Sequence, residues 1–123
     1  MPKVLVVDDE ADIVRLVRFR LEKEGWDVVS AFDGQSAIAA AIEHRPDLIF
    51  LDIMMPDMDG FDVLEEIRTR RGVYKTPVVM LTARRSGVDM DKARAFNVYH
   101  YITKPFDPEL LITTAKKILL FAG

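Results

Sequence analysis

The sequence predicts an α/β fold, a single doubly wound five-stranded parallel sheet flanked by five helices. Three observations predict it. Val4–Val7, Leu48–Leu51 and Val78–Leu81 are unbroken apolar runs, the pattern of strands buried on both faces. Each run ends abruptly on a polar residue, at Asp8, Asp52 and Thr82. Segments with apolar residues at helical spacing separate the runs, so strands and helices alternate.

The first strand, Val4–Val7, leads into Asp8-Asp9-Glu10. Ile13, Leu16, Val17 and Leu21 then recur at helical spacing and predict an inward stripe. Gly25 is placed to close that helix in a left-handed cap. Trp26–Ser30 is mixed in polarity, which puts it at a sheet edge. Asp33-Gly34 predicts a turn, followed by an Ala-rich helix from Ser36 to Glu43 that stops ahead of Pro46. The run ending at Asp52 comes next, and the Pro- and Gly-containing stretch after it reads as a loop.

Asp59 is a favourable N-cap for a helix from Gly60 to about Arg70, with Phe61, Leu64 and Ile67 facing inward. Thr76-Pro77 leads into the strand Val78–Leu81. A short helix is predicted from Val88 to Phe96, although Asp89, Asp91 and Lys92 leave it little apolar face. Tyr99–Ile102 reads as the second edge strand. Asp107-Pro108 supplies the N-cap and first residue of a last helix through Leu120, with Leu111, Ala115, Ile118 and Leu119 inward.

A chain of 123 residues is the length of one domain, here residues 1–123, and its composition is that of an ordinary globular protein. The net charge of −3 gives no signal for direct nucleic-acid binding. The absence of cysteine excludes disulfides, thiol catalysis and thiolate metal sites. No apolar run reaches the roughly 18 residues of a membrane span. Met1-Pro2-Lys3 begins no apolar leader, so the expected location is cytoplasmic.

Open α/β sheets bind ligands at the carboxyl ends of their strands, where the winding reverses. With the mixed strands at the edges, the first strand and the Asp52 strand become central neighbours, which gathers Asp8, Asp9 and Asp52 at one end. Two unit charges 4 Å apart repel by about 4 kcal/mol at an effective dielectric near 20. A divalent cation removes that cost, and oxygen-only donors favour Mg²⁺ over zinc. Because Mg²⁺ also takes phosphate oxygens, a phosphoryl substrate is its natural companion. Thr82 and Lys104, ending the next strands outward, offer a hydroxyl and an ammonium to such oxygens. Taken singly, Thr82 reads as a helix cap and Lys104 as a solvated lysine. Five polar groups at one end of the sheet read as a site.

Four motifs stand in order along the chain: Val6-Val7-Asp8-Asp9-Glu10, Leu51-Asp52-Ile53-Met54-Met55-Pro56-Asp57-Met58-Asp59-Gly60, Leu81-Thr82-Ala83 and Tyr101-Ile102-Thr103-Lys104-Pro105-Phe106. With them the chain resembles the receiver domain of bacterial two-component response regulators, over essentially its whole length. The resemblance implies the flavodoxin-like strand order 2-1-3-4-5. It implies that Asp52 accepts a phosphoryl group from a histidine kinase or phosphotransfer protein. Asp9, Asp52 and the Met54 backbone carbonyl would bind Mg²⁺ directly, with Asp8 acting through water. Thr82 and Lys104 would hold the phosphoryl oxygens, and Lys104-Pro105 would be a cis peptide. Thr82 shifting and Tyr101 turning inward would then change the interaction surface formed by the last two helices and last strand. The implied output is a phosphorylation-dependent homodimer or an effector domain.

By the same resemblance the protein is not an enzyme in the usual sense, assisting only its own phosphorylation and dephosphorylation. Where relatives often carry Gly-Ala-Asp-Asp, this chain has Asn97-Val98-Tyr99-His100, which alters the output surface. Asn97 still tolerates a left-handed cap. Leu110, Leu120 and Phe121 fall off the inward stripe and leave an apolar patch nearby. Met54 and Arg84, two residues beyond the acceptor and the threonine, cannot accept a proton from an attacking water, so the phosphorylated form is expected to be long-lived. An aspartyl-phosphate phosphatase would need an acid where Met54 stands. A flavin carrier would meet repulsion at Asp8-Asp9-Glu10.

Overall fold

The computed structural model describes residues 1–83 and 94–121, the last of these by its backbone only. β1 (Lys3–Val7), β2 (Asp27–Ala31), β3 (Leu48–Asp52), β4 (Val78–Thr82) and β5 (His100–Thr103) form one five-stranded parallel sheet in the order β2-β1-β3-β4-β5. Every residue of β3 and β4 is buried, as continuous apolar runs require. The mixed strands β2 and β5 lie at the edges, where one side of the backbone ladder faces no partner strand. The register pairs Val7 with Leu51, Asp52 with Leu81 and Thr82 with Thr103, so the polar residues closing the strands come level at one end.

Alternate residues of each strand feed two core layers, one on each face of the sheet. Val6, Phe50 and Leu81 pack with α1 (Ala11–Lys23) and α4 (Pro108–Phe121). Leu5, Leu51 and Met80 pack with α2 (Gly34–His44) and α3 (Gly60–Ile67) on the other face. Among the described residues the sheet carries these four helices. The predicted helix Val88–Phe96 falls mostly outside them, as does Arg84; its Arg94 and Ala95 are described and helical. No helix among the described residues is long and apolar enough to cross a membrane.

Several boundaries and faces differ from expectation for definable reasons. In α1 the buried stripe is Val14, Val17 and Leu21, while Leu16 is 45% exposed. Val14 takes the inward place because the angle at which α1 meets the sheet selects among neighbouring residues of the stripe. Asp33 does not merely form a turn. Its side chain accepts the Ser36 N–H at 2.7 Å, and α2 starts at Gly34. α3 opens on the expected Asp59 cap, reinforced by Asp62 in a reciprocal capping box. It ends at Ile67, three residues early: the Arg68 N–H still donates to the Leu64 carbonyl, but Thr69 and Arg70 donate to the carbonyls of Glu66 and Ile67 in tighter turns. The Arg68 guanidinium donates to the carbonyls of Phe96, Tyr74 and Thr76 at 2.9, 3.2 and 2.7 Å.

Left-handed residues appear where expected, at Gly25 (φ 85°) and Asn97 (φ 55°). Arg45 (φ 46°) closes α2 in the same conformation, with Pro46 directly after it. Leu110 and Leu120 are exposed off the α4 stripe, whereas the Phe121 side chain lies outside the described residues.

Candidate functional site

The carboxyl end of the sheet gathers polar residues because three central strands stop there together. Asp8 follows β1 and is fully buried, Asp52 ends β3 at 4% exposure, and Thr82 ends β4 at 1%. Lys104 follows β5, and its backbone N–H donates to the Thr82 carbonyl at 2.6 Å. The Lys104–Pro105 peptide is cis, as the resemblance implied.

Lys104 turns its ammonium inward among the acids. Its Nζ lies 2.6 Å from Asp8 Oδ2, 3.3 Å from Asp52 Oδ2 and 3.7 Å from Glu10 Oε1. The buried Asp8 Oδ2 is thus held by the Lys104 ammonium in a short ion pair. Backbone amides orient the remaining oxygens. The Glu10 N–H donates to Asp8 Oδ1 at 2.9 Å, and the Met54 N–H donates to Asp52 Oδ1 at 3.2 Å.

This burial perturbs both partners. Desolvation first, and then the Asp8 charge, push the Asp52 carboxyl up from 3.8 to about 6 against the opposing pull of Lys104. Burial alone would depress Lys104, but contact with Asp8 and the charges of Asp52 and Asp8 outweigh it and hold the ammonium above the usual lysine range. Lys104 therefore stays charged at neutral pH. Asp52 is a carboxylate whose ionised form is costly in this site.

The structure brings the predicted residues together in two overlapping sets. Asp8, Asp9 and Glu10 each present a carboxylate oxygen within 4.8 Å of one another, with Asp8 buried and the other two exposed. Asp52 joins Asp8 through Lys104. Glu10 was not among the sequence-predicted ligands, although its place as the third acid of the run was the available signal. Met54 exposes 53% of its surface beside the acceptor, while Met55 and Met58 pack against the core layer of α2 and α3. Tyr101 is half-buried against that same layer with its hydroxyl oxygen buried, and Tyr99 and His100 are exposed on β5 and just before it.

Residues 4–116 match the family model described as the response regulator receiver domain. The chain belongs to this family. Among solved structures, the receiver resembles the Vibrio cholerae chemotaxis protein CheY4 at 36% identity and a TM-score of 0.90, covering 97% of this chain and 99% of that one. A two-component response regulator from Clostridium difficile matches at 28% identity and a TM-score of 0.91, covering 100% and 99% of the two chains. The receiver is thus a domain of the two-component response regulators, built on the doubly wound sheet described above.

Proposed function

We propose that residues 1–123 act as one phosphorylation-switched signalling receiver, with Asp52 as the phosphoacceptor. The observation that carries this reading is the burial of Asp52 beside Asp8, with Lys104 ion-paired to both. An Asp52 oxygen attacks the phosphorus of a phosphohistidine on a histidine kinase or phosphotransfer protein. The P–N bond breaks as the O–P bond forms, and the electron pair leaves with the imidazole nitrogen. The product is an acyl phosphate on Asp52. Lys104 stays protonated and pairs with one of the phosphoryl oxygens, and the Thr82 hydroxyl donates to another.

The residues present fit a hard divalent cation. The carboxylate oxygens of Asp8, Asp9 and Glu10 approach closely, and a donor set made of acidic oxygens alone suits such an ion. Asp9, Asp52 and the Met54 carbonyl are the residues that would hold Mg²⁺, with Asp8 acting through water. When bound, Mg²⁺ supplies charge neutralisation at the phosphoryl oxygens. The remaining work falls to the chain. Asp52 provides the nucleophile, Lys104 balances charge, and the buried strand ends exclude bulk water from the acceptor.

Thr82 moving toward the phosphoryl group draws Tyr101 inward and changes the surface around Tyr99, His100 and α4. Exposed Tyr99, Leu110 and Leu120 make that surface suited to a second copy or an effector domain once phosphorylated. The receiver assists only its own phosphorylation and dephosphorylation, and it works in the cytoplasm. Incubation with an acyl phosphodonor and Mg²⁺ should add one phosphoryl group to the wild type and none to Asp52→Asn, read by intact-mass spectrometry. Equal Mg²⁺-dependent labelling of both proteins would refute the assignment.

A further inference from the structure

The loop that follows the acceptor, residues 53–59, is fastened at three places. At its ends, the Ile53 N–H donates to the Leu81 carbonyl at 3.0 Å, and the Gly60 N–H donates to the Ile53 carbonyl at 2.7 Å. The third fastening lies at its tip and reaches a different helix. Asp57 Oδ1 accepts the Gly34 N–H at 2.9 Å, and Asp57 Oδ2 accepts the Gln35 N–H at 3.1 Å. Those are amides of the first turn of α2, which no helical carbonyl can satisfy.

The fit is close beside this contact as well. A Cβ on Gly34 would fall 2.0 Å from Met58 Cγ and 2.4 Å from Met58 Sδ, so the loop seats where α2 has no side chain. Met58 packs on against the layer containing Ala37 and Ile38. Asp33 caps the same helix from its own chain end by accepting the Ser36 N–H, so the helix has a local cap independent of the loop. The Gly34 and Gln35 amides hold the Asp57 carboxyl below the usual range, the Gly34 contribution being the larger. The contact therefore persists at neutral pH as a charge-assisted one.

We propose that Asp57 is a positioning residue for the metal and phosphoryl site. By locking the loop tip to α2 it holds the Met54 backbone, three residues away, in the place from which its carbonyl would bind Mg²⁺. The proposal rests on the metal assignment under Proposed function. The same tether makes the start of α2 sense any shift of the acceptor loop, on the side of the sheet away from α4.

The test is an Mg²⁺ titration of the full chain, followed by amide chemical shifts at the site. Asp57→Ala should weaken the Mg²⁺ Kd by about tenfold, the low end for outer-sphere partners. Asp57→Asn, which keeps one acceptor oxygen, should fall between. Asp33→Ala removes the other cap of the same helix and should leave the Kd unchanged while lowering the urea midpoint, as Asp57→Ala should also do. A wild-type Kd in Asp57→Ala would reduce Asp57 to a helix cap and overturn the proposal. Equal weakening in Asp33→Ala would overturn it too, by tracing the effect to helix stability. If Asp52→Asn leaves Mg²⁺ binding intact, the metal assignment itself fails, and the role of Asp57 falls with it.

Discussion

Asp8 and Asp52, at the ends of adjacent central strands, share the single ammonium of Lys104, at 2.6 and 3.3 Å. Lys104 comes from the far edge of the sheet, after β5, and only 11% of its side chain is exposed. Two buried carboxylates and one cation leave the site one negative charge in excess even before Glu10 and Asp9 are counted. Desolvation first, and then the Asp8 charge, raise the Asp52 carboxyl, and the excess negative charge makes the site receptive to a further cation.

Removing the ammonium should be costly. Lys104→Met in metal-free buffer is expected to lose about 3 kcal/mol of stability, because two buried carboxylates are left without a countercharge. Urea denaturation near neutral pH measures it. Adding Asp52→Asn to the same chain should recover a large part of the loss, since one of the stranded charges is then gone. A loss unchanged by the second substitution would show that Lys104 acts through packing of its stem instead.

The pH dependence follows from the direction of the Asp52 shift. Burial and the Asp8 charge push its carboxyl up to about 6 in the folded protein, from the 3.8 of an ordinary aspartate. Between these values the folded state binds more protons than the unfolded chain, so stability falls as pH rises through the window. The penalty is absent below the lower value and complete above the upper one. Without metal, Asp52→Asn should therefore be more stable than wild type by on the order of 2–3 kcal/mol near pH 7, with the gap closing toward pH 4. Denaturation midpoints of both proteins across this range test the trend, and added Mg²⁺ should narrow the gap at neutral pH. A gap that does not change with pH would contradict it.

Gly60 lies against the acceptor strand itself. A Cβ there would stand 2.7 Å from the Asp52 carbonyl oxygen, 2.8 Å from Met80 Cε and 3.0 Å from Ile53 Cα. Two of these neighbours are backbone and cannot rotate away. Gly60→Ala should cost about 1–3 kcal/mol by overpacking and should slow labelling of Asp52. Urea denaturation and the labelling rate are the two measurements. Unaltered values of both would mean that α3 can retreat from β3 without disturbing the site.

By itself the sequence determined the sheet and the chemistry carried at its edge. Strands buried on both faces must be apolar throughout, so Leu48–Leu51 and Val78–Leu81 declare themselves, and so do Asp52 and Thr82 where those runs stop. Caps were equally legible at Asp59, Gly25 and Asn97, because each depends on a local backbone need. The tertiary structure decided everything that depends on distances between segments remote in the chain. Lys104 reaches Asp8 from 96 positions further along the chain, and Asp57 caps a helix that begins at Gly34. The strand pattern brings Lys104 to the same end of the sheet as Asp8, but its pairing with that acid, and the Asp57 cap, leave no trace in periodicity or composition. The same holds for Leu16 giving way to Val14 in α1, and for the Arg68 side chain serving three carbonyls beyond the end of α3. Helical spacing narrows the inward face to a few neighbouring residues. The angle at which the helix meets the sheet selects among them, and that angle is set by the packing of both layers.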